Sequence, residues 1–336
     1  GSGSTIMGYA GITGTNTDVQ AHSDPYFHAI SIVQIQTNLT SKTCDVETAV
    51  ANNIPIISAL PTYNIPKGTA FVLSATVTDP ENDPMTFTWE QVDNASTTIN
   101  KTNLGTTTSG AAFRSVLPST GGATRYFPRL SSVLAGTLDN SNNLWEAVPT
   151  VARSMQFAIT VRDNNPAFNQ QQTTNGVQNI VVGNDGPFTV TTTSGGNNSP
   201  TPVTWTVANT TASPYNVANV KIDYTTDNGA TWVTLIASTP NDGSENVTFT
   251  GVPSGTSVKL RVSAVGNVFY AVSTVTVTSV AACSGAAPTG LTASAITGTS
   301  ANLSWGTISG ATYTVRYRIV GSATWTTVNT STASLT

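Results

Sequence analysis

Hydrophobic and polar residues alternate along most of this chain, which is the spacing of half-buried β-strands. In the first half, alternating segments cover residues 70–78, 85–91, 155–161 and 177–182. Further short segments between residues 188 and 278 are separated by the turn sequences DNG, NDG and PSG. Short strands joined by such turns are typical of antiparallel β-sandwiches. The pattern therefore predicts a mainly β chain.

The N-terminal part of the chain follows a different spacing. Between Ser23 and Leu39, apolar residues recur at three- and four-residue intervals, which predicts an amphipathic helix. Ser23 or Asp24 is suited to cap this helix, with Pro25 at its first position. The apolar residues of the pattern are Tyr26, Phe27, Ile30, Val33 and Ile35.

These changes of pattern divide the chain into four predicted segments. Residues 1–48 carry the helix, and residues 49–185 form a sandwich with a long insertion, residues 92–150, that is rich in Gly, Ser, Thr and Asn. Residues 186–285 form a second sandwich, and residues 286–336 form part of a third.

The charge of the chain excludes some partners. Lys and Arg number 13 against 17 Asp and Glu, which gives a net charge of −4, and charged residues make up only 9%. A nucleic-acid partner is not expected, because binding phosphates requires a basic face. No membrane span is expected either, because no apolar run approaches the ~18 residues of a membrane helix.

The two cysteines, Cys44 and Cys283, are too few for a disulfide framework. They could pair only if distant segments folded together, so a bridge between them is not predicted.

Residues 4–11 (STIMGYAG), followed by residues 22–28 (HSDPYFH), resemble the bacterial secreted, reprolysin-like metzincin metalloendopeptidases. In that family a methionine-bearing turn passes beneath a zinc ion, which an H-E-x-x-H-x-x-G-x-x-H helix binds, and a C-terminal helix follows. The resemblance implies that Met7 is the residue of the Met-turn and that residues 23–39 are the closing helix. It also implies zinc as the cofactor of the parent enzyme and extracellular protein as its substrate.

The chain departs from the family in its histidines. His22 and His28 are the two histidines of the sequence, and on one helix they would lie on different faces. A catalytic zinc site takes three protein ligands and a general base, so the zinc ligands are absent here and the chain is predicted to be inactive alone. We therefore expect a non-catalytic C-terminal segment of a secreted zinc metalloendopeptidase, with β-modules for spacing, stability or substrate docking.

The other end of the chain resembles a fibronectin type III module. Pro288, Leu291, the strand of Trp305 (ANLSW) and residues 313–318 (YTVRYR) match its first strands, and the sequence stops before the last two. The resemblance implies tandem Ig-like and fibronectin type III sandwiches behind a Met-turn and helix remnant. It further implies an internal piece of a longer secreted or cell-surface protein, in which the partner of Cys283 lies beyond residue 336.

Residues 79–84 (DPENDP) place alternating carboxylates in a turn and resemble the D-x-[DEN]-x-D loop of cadherin-like and polycystic-kidney-disease-type sandwiches. Asp79, Glu81 and Asp83, with Asp163 at the end of another strand, are candidate ligands for a structural Ca²⁺, which takes six to eight oxygens. The alternative is an Asx-type turn with solvated acids.

Two further motifs have ordinary structural explanations. Residues 225–232 (TTDNGATW) fit an Asp-box, the hairpin motif repeated in sialidase propellers, but one copy predicts only a hairpin turn. Arg125 and Arg129 could clamp a ligand carboxylate, or pair with Glu90 or Glu146.

Aromatic residues leave a second class of function open. Most tryptophans lie within alternating segments, where a core position is expected, whereas Trp145 and Trp325 are the two expected at the surface. Exposed indoles stack on sugars, so the alternative function is a cell-surface adhesin or a carbohydrate-binding sandwich array with a cell-surface glycan as partner.

Overall fold

The computed structural model of this chain describes residues 3–44, 46, 48–279, 287–322 and 324–336. The prediction about Cys283 lies outside these described residues, and Cys44 is an exposed free thiol. The chain divides into two compact units, Gly1–Ser279 and Val280–Thr336.

The first half of the larger unit contains short strands and three helices. In chain order its elements are β1 (Thr5–Ile6), β2 (Asp24–Phe27), α1 (Ala29–Leu39), β3 (Ile56–Ile57), β4 (Tyr63–Ile65), β5 (Ala70–Ser74), β6 (Val77–Thr78), β7 (Met85–Gln91), β8 (Thr124–Phe127), α2 (Leu130–Leu134), α3 (Ser141–Leu144), β9 (Arg153–Asp163) and β10 (Thr173–Val182).

Strands alone make up the regular structure of the remaining described residues. They are β11 (Thr189–Val190), β12 (Ser194–Gly196), β13 (Thr201–Thr206), β14 (Asn219–Thr225), β15 (Val233–Pro240), β16 (Ser244–Val247), β17 (Ser257–Ala264), β18 (Phe269–Thr278), β19 (Thr292–Ser294), β20 (Asn302–Ser304), β21 (Tyr313–Tyr317), β22 (Thr326–Thr330) and β23 (Ser334–Leu335). The prediction of a mainly β chain in antiparallel sheets is confirmed.

The predicted N-terminal helix exists but begins at Ala29 rather than at Ser23. Residues Asp24–Phe27 instead form β2, which pairs in parallel with β1. His28, not Ser23 or Asp24, caps the helix, since its Nδ1 accepts a hydrogen bond of 3.2 Å from the backbone N–H of Ile30. The start of the helix was predicted wrongly because an apolar pattern of this length does not separate a short strand from the first helical turn.

Residues 56–182, which we call the first sandwich, pack two layers of strands against each other. One layer is the sheet β4-β10-β9-β7, in which β4 and β10 are parallel and the other pairs antiparallel. The other contains the antiparallel pair of β5 and β8. Phe71 of β5 and Phe157 of β9 meet across the layers with ring centroids 5.6 Å apart. The core therefore lies between these two sheets.

Residues 189–278, the second sandwich, share a sheet with the first. The strand order of the shared sheet is β15-β14-β17-β18-β5-β8, so β5 and β8 of the first sandwich extend the sheet of the second. The junction is the antiparallel pairing of Phe269 with Phe71 and of Tyr270 with Ala70. Most buried apolar residues of both sandwiches belong to one cluster, and Ala70, Val133 and Tyr270 form a second, smaller one. Backbone hydrogen bonds and a common core thus join the two sandwiches.

The predicted insertion, residues 92–150, contains β8, α2 and α3, and its first part, residues 92–123, is packed against β7. Gln91 anchors it, because its Oε1 accepts hydrogen bonds of 2.8 and 3.2 Å from the backbone N–H groups of Ala112 and Phe113. Phe113 is 2% exposed and belongs to the core. The insertion therefore has a fixed path, and it forms one side of the region described next.

The smaller unit contains two sheets. One has the order β19-β20-β23 and the other is the hairpin of β21 and β22. Tyr313 is its buried aromatic residue and lies edge-on to Trp305, with ring centroids 5.3 Å apart.

Candidate functional site

Met7 lies in a tight turn that ends β1. The backbone N–H of Gly8 donates a 3.0 Å hydrogen bond to the carbonyl of Thr5, which places Met7 at the third position of a β-turn. Its φ is 74°, a value that glycine normally adopts at this position. Non-glycine residues persist in this conformation only where their surroundings fix it, and such positions concentrate at functional sites. The Met7 side chain is 73% exposed.

The turn is tied to β2, the strand that leads into α1. The backbone N–H of Gly3 donates to the carbonyl of Gly8, and that of Asp24 donates a 2.7 Å bond to the carbonyl of Ser4. Gly8 has no room for a side chain, because a Cβ there would lie 2.8 Å from the Thr5 carbonyl oxygen. The sequence STIMG therefore forms a turn of fixed shape, followed by the short strand β2 and the helix.

Apolar side chains around this turn and along α1 are largely uncovered. Ala29 is the buried residue of the helix. The exposed large apolar residues are Met7, Tyr9, Ile12, Phe27, Ile30, Val33, Ile35 and Leu39. Apolar side chains left exposed along one helix and its neighbouring turn are candidates for an interaction surface.

His22 and His28 have different surroundings. His22 is exposed, whereas His28 caps α1 and its Nε2 lies 3.9 Å from Oε1 of Glu90. Across the part of the chain that the structure describes, no three His, Cys, Asp or Glu side chains are grouped so that they could hold a metal ion. The two histidines thus have separate surroundings.

Glu90 of β7 connects the helix to the first sandwich and was not singled out by the sequence pattern as a site residue. Its carboxylate is fully buried. Oε2 accepts a 2.7 Å hydrogen bond from the backbone N–H of Ala29, and Oε1 accepts a 2.8 Å bond from Oγ of Ser115. The pKa of the nearby Tyr26 is raised to about 12, mainly because its phenol is buried and secondly because of the negative charge of Glu90.

Arg125 and Arg129 both form ion pairs with Glu146 rather than with Glu90. Nη2 of Arg125 lies 3.0 Å from Oε1 of Glu146, and Nε of Arg129 lies 3.2 Å from Oε2. Burial lowers the pKa of Arg125, and the adjacent Glu146 opposes that shift. The two guanidinium groups thus clamp a carboxylate of the chain itself.

The predicted calcium-binding residues lie around two adjoining turns. Oδ1 of Asp79 accepts bonds of 3.0 and 2.9 Å from the backbone N–H groups of Glu81 and Asp83, as in an Asx-type turn. Asp163 is fully buried, and this burial raises the pKa of its carboxyl group. The negative charges of Asp79 and Asp83 raise the same pKa further. An amide also reaches Asp163, because Nδ2 of Asn52 donates to its Oδ2.

Two buried oxygen atoms of this cluster lack a hydrogen-bond partner, namely Oδ2 of Asp79 and Oδ1 of Asn52. Glu81 is exposed and accepts a 2.5 Å bond from Nδ2 of Asn53. Buried acceptors without a donor require a water molecule or a cation. The calcium site stays a prediction: these two atoms favour it, whereas the Asx-type turn is the alternative, and among the described residues no three His, Cys, Asp or Glu side chains are grouped to hold a metal ion.

The two candidate ligand-facing tryptophans differ. The expectation that Trp145 is exposed is wrong, because its side chain is only 6% exposed; it sits at φ 52° after α3. Trp325 is 43% exposed, as expected. The guanidinium carbons of Arg316 and Arg318 lie 5.1 and 4.6 Å from its ring centroid, so the ring already makes cation–π contacts within the chain.

The Asp-box-like sequence forms a self-contained hairpin turn. Asp227 accepts hydrogen bonds from both the backbone N–H and the hydroxyl of Thr231, and from the hydroxyl of Thr225. These bonds, with that of Thr225 the largest, lower the pKa of Asp227 to about 2. The ring of Trp232 lies 3.6 Å from the guanidinium carbon of Arg261. All of these contacts are structural.

A cavity of about 840 Å³ lies between the N-terminal residues and the insertion. Its walls include Thr13, Val19, Phe113, Arg114 and the buried Trp145. The volume falls within the range of small-molecule sites. Sequence reasoning missed this cavity, because it forms between segments that are distant in the chain.

Among known proteins, this chain is similar to solved structures of β-domains. No family model matches the chain, and no curated protein matches it. Within the described residues, none of the helices is both long and apolar enough to span a membrane.

Several solved structures are similar over most of the chain. The chicken CNTN1 FN1-FN3 domains share 13% identity over 84% of this chain and 85% of that one, with a TM-score of 0.32. Titin domains A168-A170 share 12% identity over 84% of this chain and 86% of that one, with a TM-score of 0.22. SGBP-B of the Bacteroides ovatus mixed-linkage glucan utilization locus, solved with a mixed-linkage heptasaccharide, shares 14% identity over 83% of this chain and 61% of that one, with a TM-score of 0.19.

Proposed function

We propose that this chain is the non-catalytic C-terminal part of a secreted zinc metalloendopeptidase that acts on extracellular protein. Residues 3–39, which we call the N-terminal segment, complete the protease domain, and the β-sandwiches follow it. The observation that carries this proposal is the turn at Met7. A bulky apolar residue is kept at φ 74°, where glycine is favoured, and its side chain is 73% exposed.

The helix that follows supports the same proposal. In the proposed enzyme the turn and α1 lie side by side at the base of the catalytic domain, with Met7 as a hydrophobic floor. Their exposed apolar side chains need a covering surface, which the zinc-binding half of such a domain supplies.

This chain contributes no zinc ligand in the proposal, because His22 and His28 have separate surroundings. When bound in the parent enzyme, zinc supplies Lewis-acid activation of a water molecule and of the scissile carbonyl. The role of the described residues is then to shape and support the floor of that site.

The alternative class is a cell-surface adhesin or a carbohydrate-binding array. Its two candidate aromatic residues give it little support at the surface, since Trp145 lies in the wall of the cavity and the ring of Trp325 faces two arginines. The adhesin or carbohydrate-binding array is therefore the competing outcome of the experiment described next.

The test is to isolate the protein from its source and to sequence the chain ahead of Ser4. We expect an H-E-x-x-H-x-x-G-x-x-H helix there, together with casein hydrolysis that 1,10-phenanthroline abolishes and Zn²⁺ restores. A further β-sandwich ahead of Ser4, with no chelator-sensitive hydrolysis, would overturn the proposal and favour the adhesin.

A further inference from the structure

The N-terminal segment has almost no core of its own. Its well-buried side chains are Ser4, Thr5, Tyr26 and Ala29. An isolated helix as short as α1 is marginal in water, because helices need about 12–15 residues to be stable alone. A two-stranded sheet such as that of β1 and β2 is marginal as well. The conformation of this segment, including the turn at Met7, must therefore be fixed from outside.

The first sandwich supplies that support through Glu90. The carboxylate accepts the N–H of Ala29 at 2.7 Å, at the N-terminus of α1, where the N–H groups lack partners within the helix. A negative charge there also interacts favourably with the helix dipole. Since Glu90 is fully buried, the bond is shielded from water and is of the stronger, charge-assisted kind.

Further polar contacts between the same two parts surround this bond. Oγ of Ser4 donates a 3.0 Å bond to the carbonyl of Ser115, and Nη2 of Arg114 donates to the side chain of Gln20. Nη2 of Arg162 donates a 3.0 Å bond to the carbonyl of Phe27. Ser4 lies before the Met7 turn and Phe27 after it, so the sandwich holds both ends of the segment that contains the turn.

We propose that the first sandwich is a fixed buttress of the N-terminal segment rather than a flexible spacer, and that Glu90 is its positioning residue. The buttress itself stands on the contacts above. Its consequence for catalysis, that Glu90 sets the position of the Met7 turn beneath the zinc site, rests on the proposed function.

Hydrogen–deuterium exchange on this chain tests the buttress directly. In Glu90→Ala we expect the amides of α1 to exchange at least about tenfold faster, because a buried bond to a charged group is lost. Glu245→Ala, which removes a half-exposed carboxylate from β16, is the matched control and leaves α1 unchanged. The amides of β17 and β18 report whether the sandwiches remain folded.

Two more variants separate positioning from general damage to the core. Glu90→Gln keeps one carbonyl oxygen and should retain part of the protection of α1. Ala29→Pro removes the donor and leaves the sequence of the sandwich unchanged, and proline is tolerated at the first position of a helix. The extended backbone of His28, with φ −63° and ψ 150°, is compatible with a following proline. Faster exchange in α1 is expected in this variant as well.

Unchanged exchange in α1 in both Glu90→Ala and Ala29→Pro would overturn the buttress, whatever precedes Ser4. In the full natural protein, Glu90→Ala should lower kcat/KM for casein, whereas deletion of residues 287–336 should leave it unchanged. If exchange responds but no protease precedes the chain, the proposed function fails while the buttress stands.

Discussion

Phe71 and Phe269 stand opposite each other in adjacent antiparallel strands, although one belongs to the first sandwich and the other to the second. Both side chains are fully buried, and Phe71 also stacks on Phe127 with ring centroids 5.0 Å apart. The junction between the sandwiches is therefore a hydrogen-bonded sheet with aromatic residues on its buried face.

The first prediction is that the two sandwiches unfold together. Phe71→Ala should cost about 3–5 kcal/mol, as is usual for truncating a buried phenylalanine. Denaturant unfolding of the chain without residues 287–336 should show one transition, at the same midpoint by tryptophan fluorescence and by circular dichroism. Two separated transitions, with only one shifted by Phe71→Ala, would show that the sandwiches are independent.

The second prediction concerns the backbone at Met7. Because a non-glycine residue at positive φ costs of order 1–3 kcal/mol, Met7→Gly should protect the turn amides of this chain from exchange, or leave them unchanged. Under the proposed function the same change should lower peptidase activity in the parent enzyme. Met7→Leu is the matched control, since it keeps both the apolar side chain and the strained φ. A marked loss of turn protection in Met7→Gly would show that side-chain contacts, and not function, keep methionine there.

The third prediction follows from the raised pKa of Tyr26. Burial, assisted by Glu90, brings this pKa from 10.0 to about 12 in the folded state, so folding favours the neutral phenol. The contribution is fully present below pH 10 and is lost as the pH rises towards 12, with a total of about 2–3 kcal/mol. Tyr26→Phe should reduce the fall in stability between pH 10 and pH 12, measured by urea unfolding. An identical pH profile in the variant would contradict it.

How much of this could be predicted from the sequence depended on the range of the interactions. The alternating strands were predictable because their pattern is local: 85–91 and β7 coincide. The helix was predicted but its start was not, because β2 pairs with β1, and a contact between separate segments leaves no mark in the local sequence. The shared sheet was not predictable, since nothing in residues 70–74 indicates that the partner strand begins at Phe269.

The candidate site shows the same limit. A turn at Met7 was expected from the resemblance of residues 4–11 to the metzincin proteases. Glu90 was noted only as a partner for an arginine, but its donors are the hydroxyl of Ser115 and the backbone N–H of Ala29, and a backbone N–H carries no sequence signal. Trp145 was expected at the surface because it lies outside the alternating segments, but it is buried next to the backbone pairing of Phe113 with Glu146. Contacts made by an ordered insertion cannot be read from its composition.

The fourth prediction concerns the carboxylate between two arginines. Glu146 is 1% exposed and compensates the buried guanidinium of Arg125. Glu146→Ala should cost about 3–5 kcal/mol, because removing one partner of a buried pair leaves the other charge uncompensated. Asp242→Ala, at an exposed turn, should cost less than about 0.5 kcal/mol in the same urea titration. Equal costs for the two variants would show that water reaches Arg125.

The fifth prediction tests calcium at the cluster of Asp79, Asp83 and Asp163. If Ca²⁺ binds there, Oδ2 of Asp79 and Oδ1 of Asn52 gain the partner that they lack, and binding stabilises the folded state. At a hundredfold excess over its Kd, Ca²⁺ adds about 2.7 kcal/mol, so EDTA should lower the Tm and Ca²⁺ should restore it. Asp83→Ala should abolish this response, whereas Asp242→Ala should keep it. A Tm that neither EDTA nor Asp83→Ala changes would assign the cluster to an Asx-type turn, with water serving the two buried oxygens.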